Sequence, residues 1–388
     1  MKPFDYYQPT EILFGRGRVA EVGEAVARFG KRCLVVTEAD VEALEPVFQK
    51  VQRSLGEAGV AVARFDGVIP NPTTDTITAG AEAAIAHRAD VVLGLGGGSS
   101  MDSAKAIAVE ATHEGTSWDY LFYKEPPTEK TLPVIAVTTT SGTGSQVTQV
   151  AVVTHTQTRD KSAIFDPIVY PKVAIVDPEL MVSLPERVTA ATGFDVFCHA
   201  FESTVSVNTT PYAQVLAWEA IRRVLADLPA ALEDGSNIDA RSSLAWADTL
   251  AGLCIANAGV TLPHGIGMAI GGMYPHVAHG EALAVIYPAF TRFTWEAAVP
   301  QFATLGRLLV RDAGGAPDED VARQSCEEVD RFLRKIGLWI GLEDKGILEE
   351  ELPALAKQSM VLPDYESNRR VVASEAEMLE LLQQCFRR

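Results

Sequence analysis

Read for the spacing of its apolar residues, the chain has two textures. From residue 31 onward, short runs of β-branched and other apolar residues alternate with stretches whose apolar positions recur every three to four residues. Arg32-Cys33-Leu34-Val35-Val36-Thr37 predicts a buried strand, as do 60–65, 89–95, 132–137 and 173–176. Between the first two, 44–55 has helical spacing, and the alanine-rich 75–87 predicts another helix. Strands and helices alternating in this order make a parallel sheet, because a parallel neighbour is reached only through a long crossover.

After Ser183-Leu184-Pro185 the texture changes. Alanine and leucine dominate, strand signals fade, and helical periodicity fills 188–205, 211–232, 242–258, 295–312, 319–336 and 373–386. The pattern predicts two domains, an α/β half over 1–183 and an all-helical half over 184–388. A length of 388 residues, more than one core usually organises, agrees with two. Inspection finds no internal repeat or low-complexity segment.

Composition narrows the partners. Hydrophobic residues at 47% and charged residues at 22% are ordinary for a folded globular chain and supply apolar material for two cores. A formal net charge of −18 repels polyanions, and no Lys/Arg-rich run reverses it locally, so nucleic acid and anionic membrane are poor partners. No apolar stretch reaches membrane-spanning length. Residues 1–7 lack the apolar run and small-residue cleavage site of a secretory signal. The five cysteines are scattered and form no CxxC pair, which predicts reduced thiols and a cytoplasmic setting.

Two loops carry candidate binding chemistry. Gly96-Gly97-Gly98-Ser99-Ser100-Met101-Asp102 follows a predicted strand and opens an alanine-rich helix, where glycines let backbone amides approach a diphosphate and the helix N-terminus favours its charge. The plain alternative is a glycine-rich turn with Ser99 or Ser100 as N-cap, and the order of glycines is not that of the usual dinucleotide fingerprint. Thr138-Thr139-Thr140-Ser141-Gly142-Thr143-Gly144-Ser145 follows the 132–137 strand, so its hydroxyls emerge at the strand end where α/β sheets bind ligands. A solvated Thr/Ser turn is the alternative there.

A third feature is a set of metal-type side chains. Asp195 and His199 are four apart on a predicted helix and project from one face, a spacing that serves an ion pair as readily as a chelate. His264 and His279 add imidazoles in a stretch, 263–280, nearly devoid of other polar side chains, and buried imidazoles need partners. Of seven histidines, four fall between 199 and 279. Three imidazoles and one carboxylate suit a borderline divalent ion such as Fe²⁺ or Zn²⁺ better than Mg²⁺ or Ca²⁺.

Together these residues resemble the iron-containing (group III) alcohol dehydrogenase family, from the Phe14-Gly15 region almost to the C-terminus. The family's GGGSxxDxxKA loop reads here as Gly96 to Ala106, its TTSGTGS loop as Thr139 to Ser145, its DPEL…LP segment as Asp177 to Pro185, and its TGxDxxxHAxE ligand helix as Thr192 to Glu202. The resemblance implies a Rossmann-like parallel-sheet domain followed by an all-helical, dehydroquinate synthase-like domain, with metal and nicotinamide in the cleft between them. It implies Asp195, His199, His264 and His279 as ligands of Fe²⁺ or Zn²⁺. It also implies Glu38, Asn71, Gly97, Gly98, Ser99, Asp102, Thr139, Thr140, Thr143, Thr148, Lys161 and Met268 as cofactor contacts, and a homodimer acting on a small alcohol or aldehyde. Glu38 resembles the acidic position that meets the adenosine ribose, where a carboxylate repels a 2′-phosphate and so favours NAD over NADP. Three positions depart from the pattern: Met268 stands where many members have a histidine, Gln146 where several have Glu, and Val150 where Asn is frequent. His276 is then the remaining histidine of the 263–280 stretch and a candidate for proton transfer. Two other readings compete: an NAD- and metal-using lyase of the dehydroquinate synthase type, which needs more basic side chains around the ligands, and a non-catalytic nucleotide- and metal-binding protein.

Overall fold

The computed structural model describes residues 3–39, 42–310 and 315–388. Its strands are β1 (Glu11–Phe14), β2 (Arg32–Glu38), β3 (Ala61–Val68), β4 (Val91–Gly96), β5 (Val134–Thr138), β6 (Val150–Thr154), β7 (Lys161–Phe165) and β8 (Val173–Val176). The helices of the first half are α1 (Val22–Ala27), α2 (Glu45–Glu57), α3 (Thr74–His87) and α4 (Gly98–Glu110). Then follow α5 (Glu186–Val205), α6 (Pro211–Glu233), α7 (Ile238–Ala258), α8 (Leu262–Met273), α9 (His279–Thr294), α10 (Val299–Leu309), α11 (Asp318–Lys335), α12 (Leu352–Ser359) and α13 (Glu375–Gln384).

One six-stranded sheet runs β1-β8-β5-β4-β2-β3, and each of its neighbouring pairs is parallel. Helices cover both faces, so β4 and β5 are buried along their whole length and read in the sequence as unbroken apolar runs. The chain passes from β2 to β3, returns across β2 to β4, and continues to β5 and β8. The winding therefore reverses between β2 and β4, and their outgoing connections diverge to open a crevice at the carboxyl ends of the strands. β6 and β7 form a separate antiparallel hairpin. Neither that hairpin nor β1 is among the strands the spacing predicts; β1 is a four-residue edge strand, too short to show an alternation. The helix expected at 295–312 is a short 3₁₀ turn followed by α10, and residues 311 and 312 lie outside the described residues.

The remaining helices pack around α5. Phe194, Phe197 and Phe201 lie on one face at i, i+3, i+7 and are fully buried, the first two against Tyr287 of α9 and the third against Phe302 of α10. Burying one such ring contributes about 1.5–3 kcal/mol. The other face of α5 carries Asp195, His199 and Glu202, also buried, so these groups need internal partners. The residues before β1 cross to this half: Tyr7 N–H donates to Asn257 Oδ1 at 2.9 Å, and the Tyr6 ring lies 4.1 Å from that of Tyr212. Among the described residues no single helix is long and apolar enough to cross a membrane.

Candidate metal and dinucleotide site

β4 and β5 end level with each other, Gly96 opposite Thr138, and Thr139 N–H donates to Gly96 O at 3.0 Å. The glycine loop and the Thr/Ser loop thus leave the sheet side by side at the crevice. Helix α4 starts at Gly98 with Gly97 as N-cap, and no side chain caps it; Ser99 and Ser100 sit inside its first turn instead of capping it. Amides of an uncapped first turn form an anion site. A Cβ on Gly98 would stand 2.5 Å from Thr143 Cγ2, and one on Gly97 3.3 Å from Thr140, so the two loops lie close enough that a side chain at Gly98 would have to displace Thr143.

Asp102 and Thr148 turn inward. Asp102 accepts from Ser145 Oγ at 2.6 Å and Val152 N–H at 3.1 Å. Beside it the fully buried Lys105 ammonium donates to Ser145 O and Oγ at 2.8 Å each, to Val150 O at 2.7 Å and to Thr148 Oγ1 at 3.4 Å. Burial pulls Lys105 down to about 8, with Asp102 opposing, and burial raises the Asp102 carboxyl. This cage binds the Thr/Ser loop to α4. Glu38, half-buried, is the last residue of β2 at the crevice, and burial raises its carboxyl too. Asn71, held at φ 55°, accepts from Lys161 Nζ at 2.7 Å and donates to Pro275 O at 3.4 Å. A Cβ on Gly271 of α8 would lie 3.0 Å from Lys161 Nζ, so this pair sits where the β6–β7 hairpin meets the helical half. Burial lowers Lys161 to about 8 against the pull of Asp102 and Asp195.

Three helices converge on Asp195. Its Oδ1 lies 3.6 Å from His199 Nε2, 3.5 Å from His264 Nε2 and 4.0 Å from His279 Nε2. Ligand atoms of Asp195, His199 and His264 fall within 4.8 Å of one another; His279 stands at the rim, its side chain about a quarter exposed (26%). Asp195 Oδ1, His264 Nε2 and His279 Nδ1 are buried without a hydrogen-bond partner. Native interiors rarely leave such atoms orphaned, and a cation beside Asp195 would satisfy its Oδ1 and His264 Nε2 together, with His279 Nε2 facing the same point, so these residues fit a metal ion. Burial works against ionising Asp195, yet the surrounding imidazoles, His199 foremost, hold it at about 2. Burial lowers His199 and takes His279 down to about 3. His264 goes the other way: burial opposes its charge, but Glu202 and Asp195 hold it up at about 10.

Two neighbours fix the imidazoles. Glu202, fully buried one helical turn beyond His199, accepts from His264 Nδ1 at 2.8 Å, Thr261 N–H at 2.8 Å and Thr261 Oγ1 at 3.3 Å. The Gly142 carbonyl accepts from His199 Nδ1 at 3.1 Å. With Nδ1 engaged, each Nε2 faces Asp195 and is the atom a metal ion would take, in His264 by displacing the proton that Glu202 and Asp195 hold there. Glu202 closes the ligand-helix motif in the sequence, but nothing in its spacing announces this partner. Met268 lies one turn after His264 on α8, half-buried. His276 is exposed and bonds to Lys345 O at 2.9 Å, outside this cluster.

A doubly wound sheet whose glycine loop opens an uncapped helix, set against a helical half that gathers three imidazoles and a carboxylate, has the architecture of a dinucleotide- and metal-dependent enzyme. The sequence matches the family model described as iron-containing alcohol dehydrogenase over residues 9–178, and that of the Fe-containing alcohol dehydrogenase family, C-terminal, over 189–386. It is 34% identical to 1,3-propanediol dehydrogenase of Klebsiella pneumoniae across 99% of both chains, and 34% identical to NAD-dependent methanol dehydrogenase of Bacillus methanolicus across 95% of this chain and 96% of that one. The crystal structure of an archaeal halo-thermophilic Red Sea brine pool alcohol dehydrogenase superposes with a TM-score of 0.94 at 34% identity, covering 100% of both chains. The chain belongs to the iron-containing alcohol dehydrogenase family and is an alcohol dehydrogenase.

Proposed function

We propose that the chain transfers a hydride between a small alcohol or aldehyde and NAD(H), with one divalent ion held by Asp195, His199, His264 and His279. The observation that carries this is the convergence on Asp195 of three imidazoles with buried, unpartnered ligand atoms among them. The donor set suits Fe²⁺ first and Zn²⁺ second. A divalent ion held there supplies Lewis acidity toward the substrate oxygen. The chain's own residues do the rest. Glu202 and Gly142 hold two of the imidazoles in the tautomer that presents Nε2. The uncapped start of α4, with Gly97, Gly98, Ser99, Thr140 and Thr143, receives the diphosphate, while Asp102, Thr139 and Thr148 shape that surface. Asn71, Lys161 and Met268 line the nicotinamide side. Glu38 at the crevice repels a 2′-phosphate, which favours NAD over NADP. The Met268 thioether neither donates nor relays a proton, so the alcohol proton leaves by another group.

The relatives named for 1,3-propanediol and methanol support a small alcohol as substrate and, through the NAD-dependent methanol enzyme, the choice of NAD. Val150 at the start of β6 favours a less polar substrate than Asn would. The division of labour we propose runs 1–183 for the dinucleotide and 184–388 for the metal, in a homodimer. Five buried, unpaired cysteines support a reducing, cytoplasmic compartment. Metal analysis of the purified protein, with an NADH-coupled screen over short aldehydes, diols and hydroxy acids, tests the reading. His264→Ala and His279→Ala should each abolish turnover with the fold intact; a variant that keeps near-wild-type turnover and metal content overturns the ligand assignment.

A further inference from the structure

The Thr/Ser loop borders both the glycine loop and α5. Thr140 and Thr143 press on Gly97 and Gly98, and Gly142 abuts α5, where a Cβ on it would lie 2.7 Å from Thr192 Cβ. The next residues lie along α7. Asp248 of α7, 1% exposed, accepts from Gly144 N–H at 2.9 Å through Oδ1 and from Gln146 Nε2 at 2.7 Å through Oδ2. Gly144 is left-handed at φ +61°, and a Cβ on it would stand 2.5 Å from Gly252 Cα one turn further along α7, so the loop backbone rests directly on the helix. Gln149 Nε2 donates to Ala256 O at 2.8 Å one turn beyond that. The Lys105–Asp102 cage fixes the turn at Ser145, but ahead of it Gly142 and Gly144 have no side chains to fix where their carbonyls point. The buried carboxylate on α7 supplies that constraint from outside, and both its oxygens are spent on this loop.

We propose that Asp248 is a positioning residue of the reaction: it fixes the 142–146 turn so that the Gly142 carbonyl orients His199 toward the metal and Thr140 and Thr143 hold the glycine loop in its phosphate-receiving shape. The inference rests on the metal reading above. It joins the two halves of the site through one side chain that meets neither substrate nor cofactor. Gln146 makes a rescue available, because its Oε1 is buried without a partner. In Asp248→Asn, Oδ1 can keep the Gly144 bond, and a turned Gln146 amide accepts from the new Nδ2. Asp248→Ala loses both bonds.

The test is titration of metal-free, folded protein with Co²⁺, and separately with NADH by fluorescence. Asp248→Ala should weaken Co²⁺ binding about tenfold or more, the size of effect seen when the support of a metal-bound histidine is removed. It should also weaken NADH binding severalfold, while Asp248→Asn stays within about threefold of wild type in both. If Asp248→Ala binds both probes as wild type does and only its melting temperature falls, Asp248 is a packing residue and the proposal is wrong. Should Asp248→Ala fail to fold, Gln146→Glu sets two carboxylates face to face, and Gln146→Glu with Asp248→Asn exchanges acid and amide. Loss in the single variant with recovery in the double supports the role, and wild-type binding by the single overturns it. Wild-type protein that binds Co²⁺ no better than His264→Ala overturns the metal reading instead, and the NADH titration then decides for Asp248.

Discussion

Replacing Glu202 by glutamine tests how much of the proposed metal site lies behind its ligands. The two side chains are nearly isosteric, so no cavity forms; what changes is that an acceptor-only group becomes one acceptor and one donor. Three donors meet the native carboxylate: His264 Nδ1, Thr261 N–H and Thr261 Oγ1. If the oxygen of the new amide faces His264, its NH₂ abuts the Thr261 N–H at the start of α8. If it faces Thr261 instead, the NH₂ meets His264 Nδ1, and the imidazole proton moves to Nε2, the atom aimed at Asp195. Either arrangement loses a charge-assisted hydrogen bond in the interior, worth about 1.5–3 kcal/mol. Removing a supporting carboxylate from a metal-bound histidine costs about 10–100-fold in affinity, or roughly 1.4–2.7 kcal/mol, so two independent routes agree. We expect Glu202→Gln to bind Co²⁺ about thirtyfold more weakly in a titration of chelator-treated protein, with a far-UV spectrum like that of wild type. Binding within threefold of wild type would show that the His264 ring is held by its surroundings and that the Glu202 contact is incidental.

Glu38→Gly should narrow the preference for NADH over NADPH by about tenfold or more in kcat/KM, about 1.4 kcal/mol of discrimination; a wild-type enzyme that works better with NADPH removes the basis for this role. Asp248, which burial pushes up to about 7 from 3.8 despite its bonds to Gln146 and Gly144, makes stability pH-dependent. Its folded pKa lies above its unfolded one, so its contribution is complete below pH 3.8 and is lost as pH rises through 7, at up to about 1.4 kcal/mol per unit. Asp248→Asn should therefore gain melting temperature relative to wild type between pH 5 and pH 8, and parallel curves would refute the shift. Met268→Ala should raise the KM for the cofactor, whereas unchanged cofactor affinity and turnover would put Met268 away from the nicotinamide.

The central strands are the part of the sheet that the apolar pattern predicts most directly. β2, β4, β5 and β8 lie inside the sheet under helices on both faces, and their continuous apolar runs leave little choice. The β6–β7 hairpin and the edge strand β1 are short, and no comparable run marks them. Helix α8 is hidden for a different reason. Gly265, Gly267, Gly271 and Gly272 are poor helix formers, but they let the helix lie close to its neighbours: a Cβ on Gly272 would sit 2.4 Å from the Arg159 carbonyl of the hairpin turn. Tertiary packing overrides the local preference there, and packing is not written in a four-residue spacing.

The site divides in the same way. Asp195 and His199 are legible as a pair because one helix carries both, and His264 and His279 stand out as imidazoles in an apolar stretch. Their meeting is not legible, since it needs α5, α8 and α9 to converge. The supporting carboxylates are harder still, because their partners are remote: His264 is 62 residues from Glu202 and Gly144 is 104 from Asp248. Yet Asp248 leaves a trace. Asp248 is the only charged residue between Arg241 and the end of α7, in a helix otherwise rich in alanine and leucine. A buried carboxylate is costly without donors, so an isolated acid in an apolar helix already implies that donors arrive from elsewhere in the fold. That implication singles out the residue while leaving its partner open. In this chain the partners are the Gly144 amide and the Gln146 side chain of the Thr/Ser loop, which is why an isolated acid in an apolar helix stands where the glycine loop and the imidazole cluster meet.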